Sequence, residues 1–269
     1  MAGTTTAIAT VMTEQIRQSA SLLHAVPPAA TEHPVDLSDS SPLSPAALKR
    51  LFAWLSPAFP VGGFSYSHGL EWAIEDGSIA SADDLTAWIA DILFHGAGWS
   101  DTIIFLHTHN AARTGNRGDL LEINALAIAL QPSKERHLEA TAQGRAFLST
   151  VAATWPNEAM ASFADLFDSA VVTYPLAVAL ACAAHDIPPG HGLNAYLSGF
   201  LANLVSAAVR AVPLGQTDGQ RVIAALSPQI DGLISSVSTA SLDMVGGSAW
   251  RADIASMKHE TQYTRLFRS

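Results

Sequence analysis

The chain has 269 residues, enough for one continuous hydrophobic core. Apolar residues make up 49% of it and charged residues only 14%, so much of the folded surface must be apolar or covered by a partner, which points to an interaction protein. A net charge of −10 argues against nucleic acid as the main ligand, because phosphate binding needs a basic face.

Residues 1–43 are expected to form a disordered tail. Thr, Ala, Ser and Pro predominate, no charged segment leads into an apolar core as in a secretory signal, and Glu14, Glu32, Asp36 and Asp39 interrupt any transit-peptide pattern. The folded domain is expected over 44–269. It opens where SPLSP precedes Leu48, Leu51, Phe52 and Leu55 at helical spacing. Next comes SPAFPVGGFSYSHGLEW, residues 56–72, dense in proline, glycine, serine and aromatic rings. Ser81 and Asp84 form a capping-box start for a helix whose Leu85, Trp88, Ile89, Ile92 and Leu93 share one face. Further helices are predicted over 101–112, 119–130, 133–154, 158–167, 175–185, 193–212, 219–226, 229–238 and 250–260, with breaks at Pro and Gly clusters. Alternating strand runs bounded by hairpin turns are missing, so the expected architecture is all-α, a single-domain bundle of about ten helices. The apolar stretches 170–184 and 193–212 are taken as buried helices rather than membrane spans: the first is short and carries Pro175, the second Asn194, Asn203 and Arg210.

Candidate chemistry is sparse. Gly62-Gly63 lacks the Lys-Ser/Thr pair of a phosphate-binding P-loop. GFSYS, 63–67, falls one glycine short of a nucleophile elbow and follows no strand, which leaves a serine hydrolase using Ser65 or Ser67 as a weak alternative. His107 and His109, two apart on a helix, point in nearly opposite directions and cannot readily share a metal, and His259-Glu260 opens HETQY rather than HExxH. These histidines are expected at the surface or in hydrogen bonds, with no metal or cofactor bound intrinsically and no catalytic residue. The lone Cys182, in LALACAA, excludes an internal disulfide and suits an inert core thiol in a reducing compartment. Gly144 in GRAFL permits close helix approach. Arg210 ends an apolar helix that Pro213 stops, and the polar turn that follows brings Arg210 and Arg221 to a partner-facing corner. The end of the chain, about 250–269, turns basic at Arg251, Lys258, Arg265 and Arg268, with Leu266 and Phe267 expected at the surface. Such a segment suits ordering against a partner.

Four segments in order, SPAFPVGGFSYSHGLE, QGRAFL, SAAVRAVPLGQTDGQR and HETQYTRLFRS, resemble the urease accessory protein UreF family from about Leu48 to Ser269. Phe59 stands where leucine is common in that family, and His68 at a variable place. The resemblance implies an all-α, non-catalytic, cytoplasmic homodimer that joins UreD (UreH in some organisms) and recruits the GTPase UreG to the urease apoprotein for nickel insertion. Nickel, CO₂ and GTP belong to the assembly, and neither nucleic acid nor membrane is an expected partner. It also implies that the C-terminal segment becomes ordered on UreD/UreH, that Arg265 supports recruitment of UreG, and that Glu71 lies in the region implicated in nickel passage. The residues expected to meet partners are Phe64, Tyr66, Glu71, Arg210, Arg221, Tyr263, Arg265, Leu266, Phe267 and Arg268, with the prolines and glycines of 56–72 holding Phe64, Tyr66 and Glu71 in a shape another protein reads. A GTPase-activating or fidelity factor that inserts Arg265 near the nucleotide is the alternative.

Overall fold

Local capping rules account for where most helices begin. In the computed structural model, which describes residues 42–212 and 214–268, Ser44 Oγ accepts the Ala47 N–H at 3.1 Å and Pro45 fills the first helical position of α1 (Pro45–Trp54). The predicted box forms at α3 (Ala82–His95): Ser81 Oγ accepts from the Asp84 amide, and Asp84 accepts from the Ser81 amide. Asn116, Ser133 and Asn157 cap α5 (Arg117–Ala129), α6 (Lys134–Thr154) and α7 (Glu158–Leu166) by side-chain acceptance from the Asp119, Arg136 and Met160 amides. Between them lie α2 (Leu70–Glu75) and α4 (Ala97–Thr114), and then follow α8 (Tyr174–Ala184), α9 (Pro189–Ala211), α10 (Gln216–Ser236) and α11 (Trp250–His259). Short 3-10 turns occupy Gly63–Ser65 and Leu242–Met244. Among the described residues there is no strand, so the fold is all-α. The tail expected over 1–43 lies outside the described residues except for its last two.

The bundle is organised around α8, whose residues from Pro175 to Ala183 are all buried. Its sequence is apolar on every side because α4, α6 and α9 surround it, and its alanines leave room for their approach. Gly144 of α6 has the role its position suggested. A Cβ there would lie 2.2 Å from the Val172 carbonyl oxygen, so the chain entering α8 crosses α6 at backbone contact. Cys182 is fully buried and burial pushes its thiol well up, which makes it inert. Trp54 fixes α1 to the bundle through edge contacts with Phe147 and Trp155.

Two boundaries differ from expectation. Helix α9 starts at Pro189 rather than 193, because proline at the first position needs no N–H partner. The helices predicted over 219–226 and 229–238 are one, α10, with Pro228 inside it. Pro228 is on the exposed side, where the Ala224 carbonyl it leaves unpaired faces water, while Val222, Leu226, Ile230 and Leu233 hold the other side to the core. Helix α9 is long and apolar enough to cross a membrane, but it packs on α2, α4, α8 and α10 and half of its most apolar window is buried, as befits a core helix.

Candidate functional site

The segment 56–72 turns back on itself through left-handed residues. Gly62 and Gly69 have φ of +72° and +78°, and His68 adopts +58° without being glycine. Gly69 meets α11 directly, since a Cβ would come within 2.7 Å of the Ser256 backbone nitrogen. His68 is buried against the Phe200 ring, and burial pulls its imidazole well below the usual range, so it is neutral. Ser67 is also buried, with its Oγ accepting the Glu71 N–H at 3.4 Å, while Ser65 offers its carbonyl to the Arg268 amide at 2.8 Å.

That last bond belongs to a strap. After α11, residues 260–268 fold back across α2, α6 and the 56–72 loop. Gln262 donates to Glu75, the Leu266 and Phe267 amides donate to the Glu71 carboxylate, and Arg265 donates to Glu135 at 2.8 Å. Glu260 in turn accepts the Lys134 N–H at the start of α6. Phe267 is only 4% exposed and lies beneath Arg210, whose guanidinium carbon is 4.5 Å from the ring centre and whose Nη1 donates to the Phe64 carbonyl. Tyr66 is buried nearby, its phenol raised by burial against the opposing pull of Arg268, which hydrogen-bonds it.

His259 lies at the centre, with no solvent exposure. Its Nδ1 is 2.6 Å from Glu135 and its Nε2 is 2.9 Å from Glu71. The ring can donate to both carboxylates only when it carries both protons. Glu71 and Glu135 then face one imidazolium and the Arg265 guanidinium, two negative charges against two positive. Next on α6, Arg136 and Glu139 form a buried ion pair beside Asp101, whose carboxyl burial raises to about 6 even though the Tyr196 hydroxyl donates to it. Two cavities, of about 150 and about 70 Å³, both reach Asp101 and Arg136. Among the described residues no group of three or more His, Cys, Asp or Glu is placed to hold a metal ion.

The structure therefore gathers Phe64, Tyr66, Glu71, Arg210, Arg265, Leu266, Phe267 and Arg268 into one place. Arg221 stands apart, paired with Asp218 on the surface of α10, and Tyr263 projects fully into solvent. Phe267, expected at the surface, is instead buried, because Arg210 and the loop supply a seat for it. Tyr66 and Glu71, expected to face outward, turn inward to bind the chain's own strap. Only Phe64 of the three loop residues is exposed, at 66%.

Sequence reasoning missed two further features. One is the pairing of His259 with Glu135. The other is the outer face of α11, where Trp250, Ile254 and Met257 are all exposed, Trp250 by 67%, at spacings of four and three. A signal was available: in WRADIASMKH the large apolar residues fall on one face and the small Ala252, Ala255 and Ser256 on the face that packs inward. Tyr263 and Leu266, on the strap that follows α11, are exposed as well.

Comparison with known proteins comes to the same place from outside. The sequence model of the UreF family matches residues 79–227. A urease accessory protein UreF of Methylobacterium radiotolerans is 48% identical over 220 residues, covering 82% of this chain and 96% of that protein. Another, from Rhodopseudomonas palustris strain BisB5, is 46% identical over 243 residues, covering 89% of this chain and all of that protein. A third, from Xanthobacter autotrophicus, is 48% identical over 227 residues, 84% of this chain and 93% of that protein.

Proposed function

Because this chain belongs to the UreF family of urease accessory proteins, we propose that it is a non-catalytic cytoplasmic scaffold that, as a homodimer bound to UreD/UreH, recruits UreG to the urease apoprotein for nickel insertion. The observation that carries this reading is the exposed apolar stripe of Trp250, Ile254 and Met257 on α11, together with the exposed Tyr263 and Leu266 on the strap that follows it. Large apolar side chains aligned and exposed on one helix suit a protein partner, since exposed patches of this kind mark association sites. UreD/UreH is the partner assigned to it. Nickel is cargo and GTP belongs to UreG, with no cofactor resident in this chain.

A second reading, regulation of GTP hydrolysis by Arg265, has one observation in its favour: the Arg265 side chain is 40% exposed at the edge of the strap. Its bond to Glu135 would have to break before it reached a nucleotide, which favours a docking role. Light scattering on chromatographed mixtures separates the two. The scaffold reading expects a complex with UreD/UreH that takes up nucleotide-loaded UreG, and expects Arg265→Ala to keep the first step and lose the second. An Arg265→Ala chain that still binds UreG but no longer stimulates its hydrolysis would establish the regulatory reading instead.

A further inference from the structure

Among the described residues, His259 is the side chain that hydrogen-bonds both carboxylates on which the strap depends. Glu71 receives the Leu266 and Phe267 amides and Glu135 receives Arg265, and the imidazole bridges the two from a position closed to water. A ring with a single proton could donate to only one of them. Its other nitrogen would then present a lone pair to a carboxylate oxygen at 2.6 or 2.9 Å, with no solvent to relieve the contact.

We propose that the imidazolium form of His259 is the positioning element of the strap: doubly protonated, it draws Glu71 and Glu135 into place to hold residues 265–268, and loss of one proton releases them. This rests on the reading of the strap as a docking element, and makes presentation of Arg265 and Leu266 to a partner dependent on the protonation of His259. The release is local, because α11 and α2 also meet through backbone contact at Gly69 and Ser256.

Other charged groups around the site are already engaged or face water. Glu75 on α2 takes Gln262, Glu260 takes the Lys134 amide, Arg136 and Glu139 pair on α6, Arg268 lies beside the Tyr66 phenol, and Lys258 is exposed. Asp101 on α4 and Asp253 on α11 could imitate the effect, since burial raises the first to about 6 and pushes the second upward, both near Arg136.

The geometry supplies a discriminating variant. In Glu135→Gln the amide oxygen can still accept from Arg265, while its NH₂ can donate to an unprotonated Nδ1, so a neutral His259 satisfies both neighbours. The test is amide hydrogen exchange of residues 265–268 in the free full-length protein, expressed as protection factors between about pH 5.5 and about pH 9. The wild type should lose protection at least about tenfold as pH rises, Asp101→Asn should show the same loss, and Glu135→Gln should stay protected at the alkaline end. A wild-type chain equally protected throughout would overturn the assignment. So would a Glu135→Gln chain that keeps the slope or is unprotected throughout, or an Asp101→Asn chain that has lost the slope. No partner is present, so the result stands whether or not the docking reading does.

Discussion

Arg210 shows how one side chain joins three parts of the chain. It leaves the end of α9, caps the Phe64 carbonyl and covers the Phe267 ring. Arg210→Ala removes a charge-assisted hydrogen bond and a cation–π contact, and should cost about 1–2 kcal/mol in denaturant unfolding. It should also raise exchange at the Arg268 amide, whose acceptor is in the same loop. Asp101 gives a prediction in pH. Its folded carboxyl holds a proton up to about 6 against an ordinary value of 3.8, so between those values the native state binds more protons than the unfolded chain. Its contribution to stability is therefore full below about pH 4 and falls as pH rises through 6. Asp101→Asn, which can still accept from Tyr196, should flatten that decline and gain about 1–3 kcal/mol at pH 7, measured by melting temperature against pH.

At the scale of elements, local chemistry and tertiary packing divide the outcome. The Ser81–Asp84 box was legible because both partners lie within one turn, and Gly144 because a glycine inside an otherwise helical run has few other uses. Pro228 misled for the converse reason: proline is a strong local stop, but the buried face of α10 continues through it and the unpaired carbonyl falls on the wet side. Gly144→Ala should be among the costliest single-carbon additions, about 3 kcal/mol or more, because the atom it meets is backbone and cannot rotate away. Thermal unfolding would show it, and a variant as stable as the wild type would mean that the contact between α6 and the start of α8 is looser than described. The seat of the strap was not legible. HETQY is polar and close to the end, features of a frayed terminus, and the carboxylates that bury His259 lie 188 and 124 residues away. Phe267 escaped for the same reason, its cover coming from the far end of α9.

Across the whole molecule, the apolar excess in the composition finds two destinations. Most of it fills the core around α8, and part of the remainder lines the outer face of α11 and the strap, with other exposed residues such as Phe52, Phe64 and Leu138 scattered elsewhere. The low charge content foretold such a surplus surface, but composition carries no information about which helix bears it. The strap and the 56–72 loop, which the sequence reading offered to partners residue by residue, bind each other and present a smaller set outward: Phe64, Tyr263, Arg265, Leu266 and Arg268. The central claim is that this stripe is where the UreD/UreH partner docks, and the most direct test is the mass in solution of wild type and Ile254→Asp, each mixed with that partner. Ile254 is half-exposed, so the substitution should change stability by no more than about 0.5 kcal/mol. The account predicts that the variant keeps the wild type's own mass and melting temperature yet forms no complex, whereas a folded Ile254→Asp chain that binds the partner as the wild type does would contradict it.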